Sequence, residues 1–405
     1  MPVRLKVLVV TYGSPYPPHS GVAIRDFNLL RQISKSVTLY LCILATANAE
    51  PDLSELEQFC EKIRVIPATP RTLPQAFINS ARCWSAGYNV ANFPFFYPDM
   101  VRTIGSIIHE ESIDVLQVEH SFLAVYRKAV PADSSCKTIL SLHNVASRQY
   151  RRIANTQKTL LARSVYAAKS LLLRRMESYA VTQFDRCIVV SDEEGRLLRT
   201  LAPTATYSVV ENGIDCEAFR PLRQSTTDNS LLFIGVINYP PNADAVLYFC
   251  KSILPLIKRA ISRVHLMVVG HAPPIEVLSL VSSEGVTVTG FVNDPRPYYE
   301  RASLCIVPLR AGGGTRLKIL EAMALGRPVV TTSIGCEGLD VVDGEHVLIG
   351  DTAEDFARHV VRLLRDEELR RRIISAARSL VEERYDWTIA GRTLLRTYQE
   401  VVSNT

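Results

Sequence analysis

The chain of 405 residues holds no uninterrupted apolar run of eighteen residues, which excludes a helix that crosses a bilayer. Its opening apolar stretch, Leu5 to Val10, is broken by Lys6 and is too short for the core of a secretion signal. The nine cysteines form no C-x-x-C pair, and several, such as Cys42 in LYLCIL and Cys305 in LCIVPL, sit inside strand-like runs. That pattern speaks against disulfides or a thiolate metal site and for buried thiols in a reducing compartment. There is no G-x-G-x-x-G: Gly13 and Gly21 are eight residues apart with three prolines between them, which argues against a dinucleotide-binding dehydrogenase. A Walker-type G-x-x-x-x-G-K-[ST] is also missing, which argues against a P-loop ATPase, and no D-x-D pair stands at a strand end to hold Mg²⁺ or Mn²⁺. No repeat or low-complexity tract suggests a solenoid or a linker array.

What is present is an ordinary globular composition, 47% hydrophobic and 21% charged, in a chain long enough for two cores. Short Val/Ile/Leu runs alternate with helical patterns throughout. In the first half they are KVLVV, VTLYLCIL, KIRVI, DVLQVE, KTILSLH and RCIVVS; in the second, SLLFIG, HLMVVG, VTVTG, LCIVPL, RPVVTT and HVLIG. Near-continuous apolar strands separated by helices predict parallel sheets covered on both faces, hence two doubly wound, Rossmann-like α/β domains facing across a cleft. The expected division is 1–210 for an acceptor-side domain, 211–230 for a polar linker and 231–385 for a second domain. The last twenty or so residues, 386–405, form a helical pattern that is expected to pack back on the first domain.

Ligands of such sheets bind beyond the carboxyl ends of the strands, so the loops there carry the chemistry. After LCIVPL the chain reads RAGGGTRLKILEAMALG: strand, glycine loop, helix. Gly313 and Gly314 let bare amides, with that of Thr315, approach an anion at the positive end of a helix. Arg316 and Lys318 add full charges suited to a diphosphate. Glu321, one turn later, offers a carboxylate to two hydroxyls, as of a ribose. Together these residues describe a pocket for a nucleotide diphosphate. In the first half, Gly13 and Gly21 flank a Pro-stiffened loop; Gly21 opens a helix carrying Arg25 and could bring amides to a ligand. His143 follows KTILSL at a strand end, with Asn144 and then Arg148, Arg151 and Arg152 behind it. Glu119 and His120 end LQVEH and could meet an acceptor.

At GGGTRLKILEA the chain resembles the retaining glycosyltransferases of the GT-B fold known as group 1, or family 4, and in particular a subgroup carrying that motif. The resemblance covers nearly the whole chain and is strongest from Leu231 to Gly350. It implies that Glu321 binds the nucleotide ribose, while the family's earlier Glu falls on Gly313. Members commonly place an Arg and a Lys after the first strand of the second domain. Here that loop, FIGVINYPPNADAVLYF around Gly235, has no basic residue, so Arg316 and Lys318 are expected to replace the pair as catalytic cations. By the same resemblance Gly270, Phe291 and Val292 flank the base, and His143 is the histidine beside the transferred sugar.

The expected function is transfer of a glycosyl group from a nucleotide-diphosphate sugar to an acceptor hydroxyl in polysaccharide, glycolipid or other glycoconjugate synthesis. The resemblance implies retention, and the expected site needs no cofactor and no metal. Two rivals stand beside it: a nucleotide-sugar 2-epimerase of the same fold, and a catalytically silent subunit that binds a glycan or a partner. The acceptor is expected to be a sugar, a lipid-linked molecule or a small molecule. The net charge of +5 is concentrated, with nine Lys/Arg and no acid from Lys137 to Arg175. Within it, residues 156–180 read either as a core-packed helix with a solvated basic face or as a peripheral contact with an anionic membrane. Few aromatics interleave the basic residues, so nucleic acid is not an expected partner. The location expected is cytoplasmic, at the inner face of the membrane if that contact is made.

Overall fold

A computed structural model describes residues 4–45, 50–69, 78–79, 93–157, 159–222, 229–282 and 285–403. The chain forms two compact units: Met1–Tyr150 with Ala167–Asn212 and Trp387–Thr405, and Arg151–Tyr166 with Gly213–Asp386. Part of the polar stretch 211–230, residues 223–228, lies outside the described residues.

Among the described residues the first unit is a seven-stranded sheet. Its strands are β1 (Lys6–Tyr12), β2 (Thr38–Ala45), β3 (Lys62–Pro67), β4 (Val115–Glu119), β5 (Lys137–Ser141), β6 (Arg186–Val189) and β7 (Tyr207–Val209). They run in the order β3-β2-β1-β4-β5-β6-β7, every neighbouring pair parallel. Central β1 sits between β2 and β4, with Val7 opposite both Leu39 and Val115, and its successive residues Val7 to Thr11 are all buried, so both faces are covered there. That is why KVLVV shows no polar alternation. Edge strand β3 keeps Arg64 exposed, and a charge there discourages pairing with another chain.

Helices α1 (Gly21–Ile33), α2 (Pro98–Glu111), α3 (Ala146–Thr156), α4 (Leu160–Ala180) and α5 (Asp192–Leu201) follow the strands. Helix α2 begins with Pro98, which suits the first turn, and buries Met100, Ile104, Ile107 and Ile108, a stripe at helical spacing. Each such side chain taken from water stabilises the fold by about 1.5–3 kcal/mol. Helix α1 is capped by Ser20, whose hydroxyl accepts from the Ala23 amide.

In the second unit the six-stranded sheet is β8 (Ser230–Ile234), β9 (His265–Val269), β10 (Val286–Val288), β11 (Leu304–Val307), β12 (Val329–Thr331) and β13 (Leu348–Ile349). Its order is β10-β9-β8-β11-β12-β13, again parallel throughout. The helices that matter below are α6 (Pro240–Tyr248), α7 (Arg296–Arg301), α8 (Leu317–Ala324), α9 (Ala353–Arg365) and α10 (Glu367–Arg384). Arg378 of α10 donates to the carbonyls of Cys216, Phe219 and Ala324, fastening the start of this unit to its helical side. The chain ends in α11 (Trp387–Ser403), which belongs to the first unit and packs on α1. Gly391 makes that contact close: a Cβ there would lie 2.6 Å from Cβ of Gln32.

In both sheets the strand order reverses once, between β1 and β4 and between β8 and β11. Adjacent loops diverge at such a point and leave a crevice at the carboxyl ends. In the second unit the crevice floor is bare backbone. Gly270, at φ +151°, faces Gly235 so closely that a Cβ would lie 1.6 Å from the Gly235 carbonyl oxygen. Gly270→Ala should therefore cost about 2–4 kcal/mol through overpacking and strain. Thermal unfolding tests this; a midpoint equal to that of the wild type would show that the two loops have room to move apart.

Candidate active site

In the first unit, β5 ends at Ser141 and the chain turns through His143 before α3 begins at Ala146. Two buried carboxylates hold this turn. Glu194 accepts from the Val145 amide at 2.8 Å, and Glu177 accepts from Ala146 at 2.6 Å and Ser147 at 3.2 Å. Burial raises Glu177 to about 7 against the pull of these amides. His143 is thus fixed at the end of its strand, beside the loop that follows β4. Its Nε2 lies 2.9 Å from the Glu119 carboxylate and 3.3 Å from that of Asp26 on α1. The structure therefore brings His143, Glu119 and His120 together, and adds Asp26. The rings of His120 and His143 stack with centroids 4.2 Å apart, and Phe122 stacks on the other ring partner, His120, at 4.9 Å. His120 takes a backbone φ of 69°, a left-handed conformation that turns the chain sharply after β4.

Burial works against every charge in this cluster. For His143 the two carboxylates outweigh it and lift the imidazole to about 9. Glu119 is likewise opposed by burial, yet the hydrogen bond and charge of His143 hold it at about 2. His120, buried and next to a protonated ring, falls to about 3. Asp26 is raised, chiefly by burial. The cluster is therefore an ion pair, Glu119 carboxylate with His143 imidazolium, flanked by a neutral His120. Asp26, His120 and His143 do place three ligand-type atoms within 4.8 Å of one another. In this cluster His143 Nε2 is shared by two carboxylates, and the His120 ring stacks on that of His143. Arg25 next to them adds positive charge, which a cation would have to overcome.

The remaining first-unit candidates have structural partners. Gly13, at φ +75°, follows β1, and its amide donates to Leu44. Gly21 is the first residue of α1. Arg25, 1% exposed, donates to the carbonyls of Val210 and Glu211 and to Asn212, so it ties α1 to the segment where the chain leaves the sheet. Arg148 pairs with Glu193 at 2.7 Å; Arg151, which is exposed, and Arg152, which donates to Glu337 and Gly312, cluster with the second unit.

The second unit assembles its candidates at the reversal of strand order. The loop after β11 carries Gly312 at φ +133° and Gly314 at φ +70°, and ends in Arg316, the N-cap residue of α8. The Arg316 guanidinium turns back on the carbonyls of Gly313 and Gly314, and Thr315 lies between them. Lys318, the second residue of α8, reaches the loop that follows β8. Its Nζ donates to Asn242 at 3.1 Å, lies 4.3 Å above the Phe233 ring, and would stand 2.8 Å from a Cβ on Gly235. Burial, with the nearby charge of Arg316, lowers Lys318 to about 7, and Glu321 opposes this. Glu321 itself is raised, mainly by burial, and accepts from the Tyr299 hydroxyl at 2.9 Å. The structure thus brings Gly235, Gly270, Lys318 and Glu321 into one region. Phe291 is exposed, edge-on to His271 at 6.0 Å, and Val292 beside it is partly buried.

Sequence reasoning missed Asp26, Gln117, Asn242 and Tyr299. One signal was available for the first two: a polar residue inside a strand or on the buried face of a helix needs a partner.

The charge states give a signed prediction. Because His143 is raised from 6.5 to about 9, its contribution to stability is full below about 6.5 and is lost as pH rises through 9. Wild-type protein should exceed His143→Gln in unfolding midpoint at pH 6, and the difference should shrink toward pH 9.5. A difference that stays constant over that range would contradict a protonated His143.

Comparisons with known proteins bear on the fold and on the reaction class. The family described as "Glycosyltransferase Family 4" matches residues 53–218, and that described as "Glycosyl transferases group 1" matches 228–366. An uncharacterized 44.6 kDa protein of the cps region of Klebsiella pneumoniae is 21% identical over 94% of this chain and 96% of its own length. The D-inositol 3-phosphate glycosyltransferase of Frankia alni is 28% identical over 53% of this chain; the match spans 58% of that relative's length. Sucrose-phosphate synthase of Thermosynechococcus elongatus superposes with a TM-score of 0.74 at 17% identity, covering 99% of this chain and 100% of the other. HepE of Anabaena, solved with UDP-glucose, superposes at 0.70 and 14% identity over 98% and 100%. With one parallel α/β unit matched over 53–218 and the other over 228–366 by glycosyltransferase descriptions, the chain is a glycosyltransferase of the GT-B fold.

Proposed function

We propose that the second unit holds the diphosphate of the donor at Gly313, Gly314, Thr315, Arg316 and Lys318 and its ribose at Glu321. The observation that carries this reading is Lys318. A half-buried ammonium set against a ring and a neutral amide is held at a cost, in the direction that its lowered pKa of about 7 gives. A diphosphate at the bare edge of Gly235 would supply the missing negative charge. Asn242 takes the place of a basic residue in the β8 loop: it orients Lys318 rather than binding an anion itself. As the glycosidic bond breaks, charge grows on the departing diphosphate, and cations and amides already in position stabilise it without reorganising. Gly270, Phe291 and Val292 flank the base in this reading.

From the first unit, Gly13, Gly21 and His143 serve the transferred sugar, and Glu119 with His120 serves the acceptor. A protonated His143 offers a hydrogen-bond donor and positive potential to a sugar oxygen. Glu119 is fully engaged by its neighbours, so a covalent sugar on it is not part of the reading. Transfer with retention then proceeds by attack from the face that the diphosphate leaves, with no metal ion required. The rings of Phe95 and Phe122, 4.3 Å apart beside His120, offer an apolar face to a sugar acceptor.

Calorimetry with UDP, GDP and dTDP in EDTA tests the donor site. One nucleotide should bind, and Lys318→Ala should weaken it about 30-fold or more, the loss expected for about 2 kcal/mol of a charge-assisted contact. Affinity should also fall as pH rises above about 7, because binding then has to take up the proton that Lys318 has released. Unchanged affinity in Lys318→Ala, or binding abolished by EDTA, discards the site. The anomeric configuration of the product, read by NMR, tests retention.

The reading extends to a lipid-linked acceptor at the cytoplasmic face of a membrane. Among the described residues no helix is long and apolar enough to cross one. Helix α4, however, has two apolar sides. Ser170, Leu173, Met176 and Ala180 are buried, while Leu160, Leu161, Val165 and Leu171 are exposed on another side, Leu160 at 82%. At about 100° per residue Arg163 and Arg174 flank the exposed side on one edge and Lys169 on the other. An open pocket lined by Leu171, Arg174, Arg175, Ser178, Tyr179 and Thr182 adjoins it. The protein should sediment with vesicles containing phosphatidylglycerol and not with pure phosphatidylcholine, and Leu160→Glu/Leu161→Glu should remove the difference. Equal recovery with both vesicles would leave α4 a solvated helix.

A further inference from the structure

Gln117 poses a question that packing does not answer. It lies in β4, VLQVE, 2% exposed, where a valine or leucine would fill the space without needing a partner. Its amide has a donor on one side and an acceptor on the other, and both are used. The Gln117 Nε2 donates to Glu119 Oε1 at 2.5 Å, while Oε1 accepts from the hydroxyl of Tyr398 on α11 at 2.7 Å. Chemistry fixes this orientation: an ionised carboxylate can only accept, so the amide nitrogen must face Glu119 and the oxygen must face the phenol. The second Glu119 oxygen accepts from His143 at 2.9 Å. Four side chains thus form one line, Tyr398 to Gln117 to Glu119 to His143.

A phenylalanine would serve for packing at position 398. Of the other polar groups that α11 buries, the Thr397 hydroxyl returns to its own helix at the Thr393 carbonyl. The Tyr398 hydroxyl instead leaves the helix for the sheet, and Tyr398 is wholly buried. Without it the Gln117 oxygen loses its buried donor and only the Glu119 carboxylate orients the amide, so the contact that holds Glu119 loosens. We propose that Tyr398 is a positioning residue of the candidate site: by locking the Gln117 amide it holds Glu119 against His143. The closing helix thereby governs the charge of a group at the end of β5.

The charged and titratable groups facing His143 are Asp26 and Arg25 from α1, Glu119 from β4, and His120 from the loop that follows it. Loosening Glu119 leaves Asp26, itself raised by burial, as the remaining carboxylate. The midpoint of His143 must then fall. The functional weight of this relay rests on the reading of His143 as a site residue, but the titration itself does not.

The experiment uses the full chain with ¹⁵N-labelled histidine, the His143 resonances being identified by their loss in His143→Gln. In wild type the ring should titrate near 9. In Tyr398→Phe, and equally in the near-isosteric Gln117→Met, the midpoint should fall by about one pH unit or more. The double variant should fall no further than either single one, since all three break the same line. Every folded variant with a lowered midpoint supports the relay. A folded variant of either kind that keeps the wild-type midpoint overturns it, as does a double variant whose shift is the sum of the two. If donor binding fails while these shifts appear, the functional reading of His143 falls and the relay stands.

Discussion

A parallel sheet carries its crossover connections over its two faces, and where the order of strands reverses, the connections that leave its carboxyl edge part to opposite faces. Each unit of this protein has one such reversal, and the candidate site residues gather there. Between β1 and β4 stand Glu119, His120 and, one strand further, His143. Between β8 and β11 stand Gly235, the glycine loop and Lys318. The rest of each unit can be read as support for these edges: α2 and α11 cover the first sheet, and α10 anchors the start of the second.

The two edges solve the problem of buried charge in opposite ways. In the first unit the charges satisfy one another. A carboxylate and an imidazolium are paired at hydrogen-bond distance, and two further buried glutamates hold the turn by its amides. Within such a cluster each of the paired charges already has its partner. In the second unit the balance is left open. Lys318 leans on a neutral amide and a ring face, and Glu321 on a tyrosine hydroxyl, so an anion with two hydroxyls close by would complete both. The difference follows from desolvation, which weighs against an unpaired ion far more than against a paired one.

Some of this was legible in the residues. Uniformly apolar strands such as KVLVV and LCIVPL announced sheets buried on both faces, and the glycines before α8 announced a loop that feeds a helix. Other features left a trace that only the structure explains. Gln117 is one polar letter in an apolar strand, and its meaning depends on Tyr398, which lies 281 residues away. Arg25 is one cation in the helix that Gly21 opens, and only the structure shows its guanidinium on carbonyls near residue 211. Arg316, expected to face a phosphate, rests on the carbonyls of its own loop.

By itself the sequence determined the two doubly wound sheets, because hydrophobic period and glycine placement are local properties of the chain. It also determined which ionisable residues end the strands. Only the tertiary structure decided what charge each of them carries. The pKa of His143 or Lys318 is set by burial and by neighbours from distant segments, and desolvation and Coulomb interaction act through space rather than along the backbone.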